Sequence, residues 1–240
     1  PPVSGCESLA LPPGRITLLS DRGSWLNVYL SELIQSLWQR GHAVRWIHHP
    51  AHLAAGDVCL LLSCGRLLSA EQLALHRHNL VVHESDLPQG QGWSPMTWQI
   101  LEGASRISIT LIEATAELDA GPIYLQQQVE LNGQELVDEW RALQAHATLE
   151  LCLAWLDKYH EVVAAAHPQN GESSHYRRRR PADSQLDPES SLAEQFNLLR
   201  VVDNQHYPAF LQWRGRTFQI HFLEKNGDNS SRPPGLKASR

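Results

Sequence analysis

Two rhythms of apolar and polar positions alternate along the chain. Residues 16–19 form a short apolar run, and Trp25, Val28, Tyr29, Leu33 and Leu37 follow at helical spacing up to Gly41, which reads as a strand and then a helix. Residues 43–47, 57–62 and 79–82 read as three more strands, with a helix over 69–78 between the last two. Beyond a loop rich in Gly and Pro come a helix over 96–102, closed by Gly103, and a fifth strand over 107–111. Residues 134–160 read as one long amphipathic helix with Leu136, Trp140, Leu143, Ala147, Leu151 and Trp155 along one stripe. Continuous apolar strands alternating with helices predict an α/β fold, with a mostly parallel sheet covered on both faces.

Breaks in the pattern divide the chain. Residues 1–14 hold four Pro and two Gly and read as an extended lead-in, so one main domain is expected over 15–165. Residues 166–188 turn polar, include the run Arg177–Arg180, and read as a linker to a small α+β unit over 189–224. That unit is expected to hold a helix over 192–201 and strands over 209–213 and 217–221 that turn at Gly215, before a disordered tail over 225–240.

Composition narrows the function. At 240 residues, 42% hydrophobic and 19% charged, the chain is globular, and a net charge of −6 argues against a nucleic-acid partner. Its longest apolar runs, such as residues 58–62, are far too short to span a bilayer, and the first residues lack a leader pattern. A soluble, cytoplasmic protein without a membrane partner is the expectation. Cys6, Cys59, Cys64 and Cys152 contain no C-x-x-C pair and read as free, mostly buried thiols. His48, His49 and His52 fit no standard zinc spacing, so no metal is expected.

His83 ends a predicted strand, at the sheet edge where open α/β folds place ligands. A strand-end histidine is also an ordinary structural hydrogen-bonder, and Asp119 before Ala120 and Gly121 is also good turn chemistry, so position alone leaves both open.

The ordered set of motifs is more specific. His83, Ser85, Leu87, Pro88, Gly92, Pro95 and Gly103, then Leu118, Asp119, Gly121 and Ile123, with Gly65, Arg66, Leu67 and Leu68 upstream, resemble the folate-dependent formyltransferase family. Tyr176 with the arginine run, Pro181 and Asp183, then Asn197, Arg200 and Asp203, followed by Pro208, Ala209 and Phe210, resemble the nucleotide-sugar N-formyltransferases more than the initiator-tRNA enzymes. The resemblance implies a Rossmann-like domain that transfers a formyl group from 10-formyltetrahydrofolate to the amino group of a nucleotide-linked amino-deoxy sugar. Enzymes of this kind are often homodimers. It implies that His83, Asp119 and Ser85 are catalytic, and that Gly65, Arg66, Leu67, Pro88, Gly92 and Asp119 line the folate. Trp93, Arg177, Arg178, Arg179, Asn197 and Arg200 are then expected to take the sugar nucleotide, although a solvated linker is an equally plain reading of the arginine run.

Formyl transfer to an amine passes through a tetrahedral species carrying an oxyanion and an ammonium, and a His beside a carboxylate can serve both. Two features depart from the family. The stretch before His83 is short, which abbreviates a βα unit, and Val81 stands where the family has a catalytic Asn two residues before the His. Asn79 shares the strand face but, at about 3.3 Å per residue, lies about 13 Å from His83. A missing oxyanion donor typically costs about 3 kcal/mol, and Ser85, the amides of residues 89–92 or a water are the candidate replacements. The alternatives are a formyltransferase-like binding or regulatory module without catalysis, and a formyltransferase for another amine.

Overall fold

The computed structural model describes residues 10–12 and 14–225, so most of the expected lead-in and tail lies outside the described residues. The elements in chain order are β1 (Arg15–Leu19), a 3-10 turn (Trp25–Val28), α1 (Leu30–Gln39), β2 (Ala43–Ile47), a 3-10 turn (Pro50–His52), β3 (Gly56–Leu61), α2 (Ala70–Leu73), β4 (His76–His83), β5 (Gln91–Gly92), α3 (Pro95–Leu101), β6 (Arg106–Glu113), β7 (Ile123–Glu130), α4 (Val137–Asp157), α5 (Tyr159–Ala164), β8 (His175–Tyr176), a 3-10 turn (Pro181–Ser184), β9 (Gln185–Leu186), α6 (Phe196–Val201), β10 (Ala209–Trp213) and β11 (Arg216–Ile220). Two compact units divide between Arg179 and Arg180.

The first unit rests on a six-stranded sheet of order β2-β1-β3-β4-β6-β7. β2, β1, β3 and β4 run parallel, whereas β6 and β7 are each antiparallel to the strand before them. The length of α3 accounts for the reversal. Its 7 residues rise about 10 Å, against about 26 Å for the 8 residues of β4. The helix cannot return the chain to the start of β4, so β6 sets off beside the strand end, with Thr110 opposite His83 and Glu113 opposite Leu80. β7, unassigned in the sequence pattern, closes the edge with three consecutive glutamines.

Helices are sparser than expected on the amino-terminal half. The helix expected over 69–78 stops at Leu73, because Ser69 and Gln72 cap its start but His76 onward pairs with β3. Gly56 opposite His76 makes that pairing fit, since a Cβ there would lie 2.7 Å from the imidazole. Leu53, Leu68 and Leu73 therefore cover Leu19, Cys59 and Leu61 on the sheet face that leads to His83. Ile16, Leu18, Leu60 and Leu80 alternate with these residues and are fully buried on the other side.

α4 packs against β6, β7 and α1, and the Arg40 guanidinium clasps Asp157 by two 2.7 Å bonds. Trp140, Ala147, Leu151 and Trp155 of the expected stripe are buried, but Leu143 is exposed, and Gln144, Thr148 and Cys152 are buried as well. Packing on several sides thus replaces the single stripe. The helical run breaks at Lys158 instead of continuing to residue 160.

Residues 166–188 are not a free linker. His167 exchanges backbone bonds with Ile123, β8 pairs with β5, and the part from Arg180 onward belongs to the second unit. In that unit β9 lies parallel to β10, and β10 and β11 form a hairpin through Arg214 and Gly215, both at positive φ. Leu186, Leu199, Val202 and Ala209 form its core. α6 begins at Phe196 rather than 192, because Ser191 and Glu194 bond to one another in a preceding turn. Among the described residues no helix is long and apolar enough to cross a membrane.

Burial pushes the thiols of Cys59 and Cys152 up to about 12, while Cys64 is half-buried. Brief iodoacetamide treatment of the native protein at pH 8, read by peptide mapping, should label Cys64 and spare Cys59 and Cys152 until the chain is unfolded.

Candidate active site

His83 is the last residue of β4 and is 5% exposed. Its Nε2 lies 2.8 Å from the Gly90 carbonyl oxygen, and its Nδ1 lies 3.6 Å from Asp119 Oδ2. A carbonyl only accepts, so the contact assigns a proton to Nε2, and Nδ1 faces the Asp119 carboxylate from just beyond hydrogen-bond distance. Asp119 sits between β6 and β7 at φ 53, a left-handed conformation that Asp tolerates. The close return of this loop requires Gly121, where a Cβ would overlap the Glu113 carbonyl oxygen.

The loop after β4 holds the aspartate from two points and Gln169 from a third. Gly92 N donates to Asp119 Oδ2 at 2.9 Å, and Gln91 Nε2 and Gln169 Nε2 donate to its backbone oxygen at 3.2 and 2.7 Å. Neither glutamine stood out in the sequence. Gln91 lies in the loop rich in Gly and Pro, and Gln169 falls in a stretch read as linker. Gly92, at φ 99, passes against the Tyr176 backbone, where a side chain would collide.

Val81 packs against Leu87, Ile112 and Ile123, so the position two before His83 is apolar wall. Asn79 is engaged elsewhere, its Nδ2 donating to Leu73 O at 3.0 Å. Ser85 is 2% exposed, and its Oγ is buried with no hydrogen-bond partner among the described residues. A Cβ on Gly90 would lie 3.3 Å from that Oγ, which places the hydroxyl beside the loop that receives His83.

The other expected residues fall into three groups. Pro88 and Gly92 flank the His83 site, Pro88 O accepting from Ser174 N at 3.3 Å. Gly65 and Arg66 line an open cleft with Trp93 and Arg178, while His83 and Asp119 are not part of its wall. Leu67, beside them, is 63% exposed. Arg178 lies over Trp93 and Arg177 over Trp98, each guanidinium 4.7 Å from the ring centroid, whereas Arg179 is half-buried. Arg200 and Asn197 belong to the second unit, where Asn197 is half-buried. Arg200 is 3% exposed and donates to Asn197 Oδ1 at 3.3 Å, because the apolar residues around it draw that helix face into the core.

Residues 36–150 match the formyl transferase family model. This part of the chain belongs to the formyltransferase family. Over 145 residues the chain is 25% identical to the methionyl-tRNA formyltransferase of Thermodesulfovibrio yellowstonii, covering 60% of this chain and 47% of that one. It thus spans about half the length of the curated relatives it matches. The structure of a methionyl-tRNA formyltransferase from Clostridium thermocellum superposes with a TM-score of 0.70 at 18% identity, covering 86% of this chain and 96% of that one. A sugar N-formyltransferase from Shewanella sp. superposes with a TM-score of 0.65 at 14% identity, covering 89% and 99%. These two likenesses are of fold.

Within the formyltransferase domain, Glu84 follows His83, and Gln144 Nε2 donates to its Oε1 at 2.6 Å. Burial pushes the Glu84 carboxyl up, with the neighbouring His83 pulling more weakly the other way. A raised carboxyl binds its proton more tightly in the folded state, so its stabilising effect is present at acid pH and lost as pH rises through the raised value. Thermal melts should therefore show Glu84→Gln overtaking wild type as pH rises from 5 to 8. For the His83 and Asp119 pair, His83→Ala, Asp119→Ala and the double variant should each lose a similar ~10²–10⁴ in kcat. Losses that multiply in the double variant would show two independent residues.

Proposed function

We propose that the chain transfers a formyl group from 10-formyltetrahydrofolate to the amino group of a nucleotide-linked amino-deoxy sugar. The observation that carries this reading is the buried His83 and Asp119 pair, 3.6 Å apart at the end of β4 in a formyltransferase domain. The folate supplies the formyl group as an amide-like acyl donor. His83 takes the proton of the attacking amine on Nδ1, Asp119 stabilises the imidazolium, and the Gly90 carbonyl keeps the ring oriented. With Val81 unable to donate, the unpartnered Ser85 hydroxyl supplies the hydrogen bond to the developing oxyanion.

The residues present fit a folate. Leu67 is an exposed apolar side chain suited to a flat ring, and Ser85 offers a buried hydroxyl with no other use. Gly65, Arg66, Leu67, Pro88 and Gly92 would hold it. Trp93 under Arg178 and Trp98 under Arg177 offer aromatic and cationic surface to the sugar nucleotide. The names of the sequence relatives favour, as a second reading, an aminoacyl-tRNA acceptor.

Release of tetrahydrofolate from 10-formyltetrahydrofolate, followed with a panel of nucleotide-linked 4-amino sugars and with methionyl-tRNA, decides between them. Turnover with a sugar supports the proposal, turnover with tRNA alone favours the second reading, and none with either defeats both. Arg177→Ala and Arg178→Ala should raise KM for the sugar and leave that for folate unchanged. Val81→Asn should change kcat little, because Ser85 already donates. A gain approaching ~10², the contribution of one oxyanion donor, would reveal a decayed site instead.

A further inference from the structure

The open cleft beyond the carboxyl ends of β1, β2 and β3 measures about 1080 Å³. Four arginines and three histidines line it against one carboxylate, Asp21, in a chain of net charge −6. That carboxylate is already engaged, its Oδ2 accepting from Gly65 N at 2.9 Å. Arg22, Arg45 and Arg66 form no ion pair among the described residues. The cleft therefore carries an excess of positive charge among the described residues that line it.

Its β2 side is ordered for recognition. His49 Nδ1 accepts from Ala51 N at 3.1 Å, which puts the proton of the neutral ring on Nε2 as an outward donor. His48 Nδ1 donates to the Ser20 carbonyl at 3.1 Å, so Nε2 faces a ligand as an acceptor in the neutral ring and as a donor only when an anion holds the ring protonated. The His52 ring lies 6.0 Å from that of His49. Trp46 is fixed by a 2.9 Å bond from Nε1 to Ser20 Oγ, and 37% of it stays exposed as a flat apolar wall. Guanidinium and imidazole donors beside a rigid aromatic face match a diphosphate that carries a planar base. Arg45, Trp46, His48, His49 and His52 lie outside the motifs that carry the family resemblance.

We propose that Arg45, His48, His49 and His52 form the subsite for the diphosphate of a nucleoside diphosphate, and so select the acceptor for the proposed formyl transfer. This rests on the reading of the acceptor as nucleotide-linked. The same polyanion chemistry also occurs in the oligoglutamate tail of a folate, which has no planar base for Trp46.

Calorimetric titration of the full chain with UDP, TDP and inorganic pyrophosphate, alongside monoglutamyl and pentaglutamyl tetrahydrofolate, tests the subsite. Wild type should bind a nucleoside diphosphate in competition with pyrophosphate. The triple variant His48→Gln/His49→Gln/His52→Gln, and separately Arg45→Ala, should raise that Kd at least about tenfold and leave both folates unchanged. Circular dichroism checks that each variant is folded. No binding of either nucleotide to wild type, or unchanged binding in both variants, overturns the proposal. Weakening confined to pentaglutamyl tetrahydrofolate overturns it too and assigns the cleft to the folate tail. Binding requires no turnover, so nucleotide binding through these residues without formyl transfer sinks the catalytic reading alone, and formyl transfer without such binding sinks the subsite alone.

Discussion

A helix of 7 residues constrains everything around the candidate site. α3 is too short to return the chain along the sheet, so β6 leaves from the carboxyl end of β4 and runs antiparallel to it. β7 must then turn back beside β6, and the loop between them carries Asp119 to the end of the strand that carries His83. A parallel β6 would have needed a full crossover helix and would have ended at the site rather than begun there. The reversal joins two distant motifs, and the tightness of the turn makes a side chain at Gly121 impossible.

The pair so formed is held by surroundings that compensate for an apolar neighbour. Val81 belongs to the packed wall of Leu87, Ile112 and Ile123, where a carboxamide would be buried among groups unable to pair with it. Polar contacts are instead gathered on the other side, where Gly90, Gln91 and Gly92 touch His83 or Asp119 in succession. β8 clamps this loop through its pairing with β5, so the rigidity of the site comes partly from residues that precede the second unit. The Ser85 hydroxyl is among the buried polar groups that have no hydrogen-bond partner among the described residues.

Charge is distributed unevenly over an acidic chain. The cleft at the ends of β1, β2 and β3 gathers arginines and histidines in a chain of net charge −6, and a lining of one sign focuses the field on anions there. The abbreviated connections on that side leave the space open. A 3-10 turn and the 4-residue α2 stand where longer helices would fill it.

The sequence by itself determined what depends on local rhythm. The four parallel strands, α3 closed by Gly103, and the hairpin turning at Gly215 follow from apolar spacing and from glycines at positive φ, and His83 and Asp119 follow from their motifs. Only the tertiary structure decided the direction of β6, the early end of α2 at Leu73, the exposure of Leu143 and the burial of Arg200. Each of these turns on which segment a residue packs against, and a local pattern reports that a position is buried without naming its partner. Gln169 shows the limit most clearly. Its bond to Asp119 spans 50 positions through a stretch that reads as linker, and no periodicity in its neighbourhood points there.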